Sequence, residues 1–168
     1  MRVAVGSDHA GFRLKEALAE HLRTLGHDVM DLGTHSEEPV DYPDFGAAVG
    51  RAVMAGSADR GVCVCGTGIG ISIAANKVFG IRAAVVHDVT SARLARQHNA
   101  AHIACFGARV TGPEVATDAV SVFMETAAEG GRHSMRVGKI AAIEAEVLSG
   151  ARSEESRDAQ PSRASEPS

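Results

Sequence analysis

The chain has 168 residues, 45% of them apolar, with 21 acidic and 17 basic side chains and a net charge of −4 at pH 7. That size and apolar content fit one globular domain with a real core and not a disordered chain. The acidic balance argues against a nucleic-acid binder working by general electrostatics, and no apolar run reaches the roughly 20 residues of a membrane span.

Met1 leads straight into strand-like sequence, so no signal peptide is expected. Arg2 to Gly6 is a short apolar run ending at Ser7-Asp8-His9. Leu14, Ala17, Leu18, Leu22 and Leu25 recur at helical spacing, and Gly26 stops that helix. Asp28 to Leu32 reads as a second strand and Gly33 to Pro43 as a polar loop holding Tyr42, the only tyrosine. Phe45, Ala48, Val49, Ala52 and Val53 give a second helix, closed near Gly56. A third strand, Val62 to Cys65, breaks into Gly66-Thr67-Gly68-Ile69-Gly70, and a helix follows to about Phe79-Gly80. Ile81 to Val86 is a fourth strand, and a helix then runs to His98-Asn99. His102 to Phe106 is a fifth strand, ending at Gly107. Gly112-Pro113 opens another helix, with Val115, Ala119, Val122 and Phe123 as its buried stripe. After Gly130-Gly131 a last helix carries Arg132, His133, Arg136, Ile140 and Ile143. From Ser149 the chain is Ser, Glu, Arg, Ala and Pro with almost no bulky apolar residue. Residues 149–168 are therefore expected to be a disordered tail after a single domain over 1–148.

Five near-continuous apolar strands alternating with helices predict a three-layer α/β/α fold with a parallel sheet. Two strand orders fit, and the flavodoxin-like order 2-1-3-4-5 is the expectation, with an extra C-terminal helix. Its switch point, between strands 1 and 3, makes Ser7-Asp8-His9 and Cys65 to Gly70 face each other across the crevice where such sheets bind ligands.

The glycine turn is the centre of the reading. It leaves backbone N–H groups free beside the start of a helix, where an anion or a developing oxyanion can sit. A purely structural turn is the plain alternative. A dinucleotide site is disfavoured, because residue 71 is isoleucine where that fingerprint wants glycine. A P-loop is excluded, since no Gly-Lys-Ser/Thr follows. Cys63 and Cys105 read as small core residues. Cys65 differs, because a helix-start turn stabilises a thiolate that can act as base or nucleophile. Cys-x-Cys has no matching second pair, so no metal site is expected. A redox role is weak without a resolving cysteine at Cys-x-x-Cys spacing. Three reduced cysteines suit a cytoplasmic protein. Asp8-His9 reads as a helix cap or as part of the site. His98-Asn99 reads as a helix C-terminus or as part of the site. Arg132 and Arg136 share a helix face, which is either a solvated basic face or, with His133, a clamp for a phosphate dianion.

As a set, these motifs resemble the type B ribose-5-phosphate isomerases, in a family shared with galactose-6-phosphate isomerase subunits. They are S-D-H-A-G-F from Ser7, D-Y-P at Asp41 to Pro43, C-G-T-G-I-G-I-S-I-A-A-N-K from Cys65, G-I-R at Gly80 to Arg82, A-R-Q-H-N at Ala95 to Asn99 and E-G-G-R-H ending at His133. The resemblance covers Met1 to Leu148. It implies an aldose–ketose isomerase with no cofactor or metal, interconverting ribose 5-phosphate and ribulose 5-phosphate. Under it, Cys65 is the base that moves a proton between C1 and C2, and Thr67 and His98 open the furanose ring. Backbone amides from Gly66 through Gly68 and Ile69 to Gly70 hold the enediolate oxygen. Asn99, Asp8 and Tyr42 contact the sugar, and His9, Arg132 and Arg136 bind phosphate. The arginines are expected to act in trans in a homodimer or tetramer. Some family members carry serine at the Cys65 position and a glutamate a few residues on. Here Gly70-Ile71-Ser72-Ile73 has no carboxylate, which leaves Cys65 alone. A tetrulose phosphate, a six-carbon sugar phosphate and a non-catalytic sugar-phosphate-binding module stay open as alternatives.

Overall fold

A computed structural model of the chain describes residues 1–158. The elements, in chain order, are β1 (Arg2–Ser7), α1 (Phe12–Thr24), β2 (Asp28–Asp31), α2 (Tyr42–Met54), β3 (Arg60–Cys65), α3 (Ile69–Ala75), β4 (Ala83–Val85), α4 (Val89–Asn99), β5 (Ile103–Gly107), α5 (Pro113–Glu125) and α6 (Arg132–Asp158). The five strands form one sheet, every neighbouring pair parallel.

Alternate strand residues build two cores. Val3, Val5, Val62, Val64, Ala104 and Phe106 face α1, α4 and α5 through Leu18, Ala92, Ala119 and Phe123. Ala4, Cys63, Cys65, Ile103 and Cys105 face α2 and α3 through Val49, Ile71 and Ala75. Strands covered on both faces are apolar throughout, and this gives the expected three layers. The extra C-terminal helix, α6, packs on α4.

The strand order differs from expectation at one edge: it is β2-β1-β3-β5-β4, not 2-1-3-4-5. β5 has five residues, all buried, whereas β4 has three, all half-buried. The longer apolar strand takes the interior place and the short one the edge. The switch point between β1 and β3 is as expected, and the Asp8 N–H reaches across it to the Val64 carbonyl at 3.2 Å.

Smaller differences follow from packing. Tyr42 opens α2 instead of ending a loop, with Pro43 in the first turn, where its missing N–H costs nothing. Val115 and Ala17 face solvent, and the stripe of α5 is Ala116, Ala119, Val120, Phe123 and Met124. The left-handed residue after α4 is Ala100, at φ 47°, and not Asn99. The expected tail begins inside α6, which runs to Asp158. Its Ala, Arg and Glu residues lack core-forming bulk but are good helix formers. Residues 159–168 lie outside the described residues.

Candidate active site

The Cys65 thiol sits at the end of β3, 4% exposed, and accepts a hydrogen bond from the Gly68 N–H at 3.1 Å. That bond aims a backbone donor at the sulfur. Gly68 can make it because its backbone is left-handed, at φ 78°, and because a Cβ there would lie 3.0 Å from the backbone of Phe106. Only glycine satisfies both demands. Thr67 is exposed at the tip of the turn, and its Oγ1 accepts from the Ile69 N–H at 3.3 Å. Within the described residues, the N–H groups of Gly66, Thr67 and Gly70 make no hydrogen bond. They form a donor cluster beside the thiol, suited to a developing oxyanion.

Tyr42 closes on this turn, and Asp8 and His9 stand at the end of the neighbouring strand β1. The Tyr42 ring lies against Gly70, where a Cβ would come 2.7 Å from it. Asp8, buried at the end of β1, accepts from the Gly11 N–H at 2.9 Å and so fixes the entry to α1. His9 Nδ1 accepts from the Val40 N–H at 3.1 Å, leaving Nε2 free. The start of the same loop is locked by Lys15, which is fully buried and contacts both Asp31 oxygens at 2.7 and 2.6 Å and the Thr34 carbonyl at 2.8 Å.

Arg109 was not among the sequence candidates. Its guanidinium lies 3.3 Å from where a Gly66 Cβ would stand, and its backbone N–H donates to the Gly66 carbonyl at 3.0 Å. No motif pointed to it. It reaches the turn because β5 pairs directly with β3, a neighbour relation set by the strand order.

The remaining candidates form a second group elsewhere. His98 is in the last turn of α4 and stacks on His133 of α6, with ring centroids 4.2 Å apart and planes 6° from parallel. Arg132 Nε donates to His133 Nε2 at 3.3 Å, and a Glu129 oxygen lies 3.5 Å from the same nitrogen. Burial, and next the charge of His98, hold His133 below the usual histidine range. Asn99 is exposed beside this pair, and Arg136 is one turn further along α6. Helices that follow parallel strands run back along the sheet, so α4 carries His98 and Asn99 to the sheet's amino-terminal edge. Cys65 and Thr67 are at the carboxyl-terminal edge. No hydrogen bond, ion pair or ring contact joins the two groups among the described residues.

His98, Glu129 and His133 offer three donor atoms within 4.8 Å of one another, a set that zinc accepts. The parallel rings argue against it, since one ion cannot lie in both ring planes, and Arg132 already occupies a His133 nitrogen. Cys63 and Cys105 pair across β3 and β5 in the core, where burial, then contact with Cys63, pushes the Cys105 thiol up. No helix among the described residues is long and apolar enough to cross a membrane.

Residues 3–140 match the family described as Ribose/Galactose Isomerase. Ribose-5-phosphate isomerase B of Escherichia coli K12 is 48% identical over 143 residues, covering 85% of this chain and 96% of that protein. The structure of Clostridium thermocellum ribose-5-phosphate isomerase B superposes with a TM-score of 0.86 at 51% identity, over 88% of this chain and 99% of that one. Ribose-5-phosphate isomerase B of Mycoplasma genitalium, solved with bound ribulose-5-phosphate, gives 0.83 at 40% identity, over 86% and 97%.

Proposed function

The chain belongs to the ribose/galactose isomerase family, and on that footing we propose that it interconverts D-ribose 5-phosphate and D-ribulose 5-phosphate at a site completed by a second copy of the chain. The observation that carries this reading is the Gly68 N–H bond to the Cys65 thiol, next to three amides without partners. Aldose–ketose isomerisation needs a base for a weakly acidic C–H and donors for the oxyanion that forms, and this turn offers both.

The sugar enters as a furanose. The partner's His98 delivers a proton to the ring oxygen while the O1 hydroxyl passes its proton to Thr67 Oγ1, which releases its own to solvent. The C1–O4 bond breaks and the C1 carbonyl forms. The Cys65 thiolate then removes the proton from C2. Charge moves onto O1, where the amides of the Gly66–Gly70 turn hold it. The same thiol returns the proton to C1 as a proton passes from O2 to O1, and the ketose results. No electrons leave the substrate. Asp8, Tyr42 and the partner's Asn99 hold sugar hydroxyls. His9, with the partner's Arg132 and Arg136, holds the phosphate, and Arg109 adds a cation on the same rim.

The need for a second copy rests on the separation of the two groups along the sheet. Within one chain, His98 cannot reach a sugar held over Cys65. A homodimer, or a tetramer made of such dimers, brings each amino-terminal edge to the other's turn. A thiol base also requires a reducing compartment, which supports a cytoplasmic setting.

The test is turnover of ribose 5-phosphate by purified protein with no added metal or cofactor. The reading predicts kcat/KM of about 10⁴ M⁻¹s⁻¹ or more. Turnover of only a four-carbon or six-carbon sugar phosphate would keep the chemistry and change the substrate. Binding without turnover of any of them would leave a non-catalytic binding module.

A further inference from the structure

The isomerase reading gives His98 a task but does not say what aims it. An imidazole that must deliver a proton to one ring oxygen needs a fixed plane. His98 is half-buried near a helix end, where side chains ordinarily turn freely. Here it does not stand alone. His133 covers one face of its ring at 4.2 Å, with planes 6° apart. His133 is itself 6% exposed. The segment before it is pinned to the end of α4 by the Glu129 N–H, which donates to the Gln97 carbonyl at 2.9 Å. The His133 N–H donates to the Gly130 carbonyl at 3.3 Å.

We propose that His133 is a positioning residue for ring opening: its ring, held by Arg132 on a segment that the Glu129 backbone pins to α4, fixes the plane of the His98 imidazole so that His98 presents its edge to the furanose oxygen. The inference rests on the isomerase reading above. His133 touches no reacting atom. As acceptor from Arg132, its Nε2 is unprotonated and its proton is on Nδ1. The stack therefore places a neutral ring beside the working one and does not compete with it for a charge. Arg132, a phosphate ligand in the same reading, is tied to the same nitrogen, so one side chain links the ring-opening histidine to the clamp.

Two reactions separate this role from a merely structural one. Ribose 5-phosphate must be opened before C2 can lose its proton. Ribulose 5-phosphate is already open, because the oxygen that would close its five-membered ring carries the phosphate. Exchange of solvent deuterium into C1 of the ketose therefore reports the Cys65 step alone. In His133→Ala, turnover of the aldose is expected to fall about tenfold or more, while deuterium exchange into the ketose stays within about twofold of wild type. His133→Phe, which keeps an aromatic face but no hydrogen bond, is expected to restore most of the aldose rate. Equal loss of both reactions overturns the proposal, since that marks damage to the phosphate clamp or the fold. Unchanged aldose turnover overturns it as well. A measurement independent of any substrate is the proton spectrum of His98. Its ring protons are expected upfield in wild type and His133→Phe, and released in His133→Ala. His98 resonances that do not move between these proteins overturn the stack itself. Absence of ribose 5-phosphate turnover in wild type, with the ring shift present, would count against the isomerase reading and not against the stack.

Discussion

His98 and Cys65 lie at opposite ends of one sheet. Cys65 closes β3 at the carboxyl-terminal edge, and His98 is in the last turn of α4, which starts at that edge and runs back. Eleven residues of helix rise about 16 Å, too far for one sugar phosphate to bridge by side-chain adjustment. In the proposed mechanism the working unit is two chains, and the prediction is complementation. Cys65→Ala and His98→Asn homomers should both be nearly inactive on ribose 5-phosphate. Mixed after unfolding and refolding together, they should recover about a quarter of wild-type activity, because half the dimers are mixed and each has one intact site. No recovery would place His98 and Cys65 in the same chain's site, against the geometry.

Cys65→Ala should lower kcat by roughly 10²–10⁴-fold or more, the range for loss of a general base. Binding of ribose 5-phosphate, measured by calorimetry, should persist, because the turn amides do not depend on the thiol. Retained turnover in this variant would remove the thiolate mechanism.

Two glycines of the turn should respond differently. Gly68→Ala forces a side chain onto a left-handed backbone and to 3.0 Å from the Phe106 backbone, which cannot yield. It should cost about 1–2 kcal/mol of stability in urea unfolding and lose most activity, since the N–H moves off Cys65. Gly70→Ala meets only the Tyr42 ring, at 2.7 Å, and that ring is 40% exposed and can swing away. Its stability should change by less than about 1 kcal/mol, and its KM should rise as Tyr42 leaves the sugar.

His102 sets a pH dependence of stability. Burial, followed by the charges of Arg82, Arg96 and Arg60, pushes it down to about 4. In the unfolded chain it titrates at about 6.5. Between those values the unfolded chain binds a proton that the folded chain refuses. The stabilisation is therefore complete above about pH 6.5 and is lost as pH falls toward 4. The urea midpoint should decline over that window, and His102→Asn should flatten the decline. An unchanged slope in the variant would assign the acid sensitivity to other groups.

Lys15 is fully buried against Asp31, whose side chain is 20% exposed. Lys15→Met leaves the carboxylate without its cation and should cost about 3 kcal/mol. Lys15→Met with Asp31→Asn should recover part of that loss. A single variant as stable as wild type would show that the pair contributes nothing to the corner after β2.

The sequence by itself determined the alternation of strands and helices, the parallel sheet and the place of Cys65, at a strand end before a glycine turn. These rest on local physics: apolar runs read directly as covered strands, and a glycine turn after a strand fixes its own backbone. The places of Asp8 and Thr67 were legible for the same reason, since each follows a strand end, whereas Tyr42 was read in a loop and opens α2. Strand order was not legible, because β4 and β5 differ only in length and burial, which decide their places once all five strands compete for the interior. Arg109 followed from that order, and Lys15 was hidden because a lysine's burial is set by the partners that fold around it. His98 was found by motif, but its place was not: the direction of α4 sends it away from Cys65 and against His133. Which end of a sheet a helical residue reaches, and which ring stacks on it, depends on how elements far apart in sequence pack together, and that is fixed only in the folded chain.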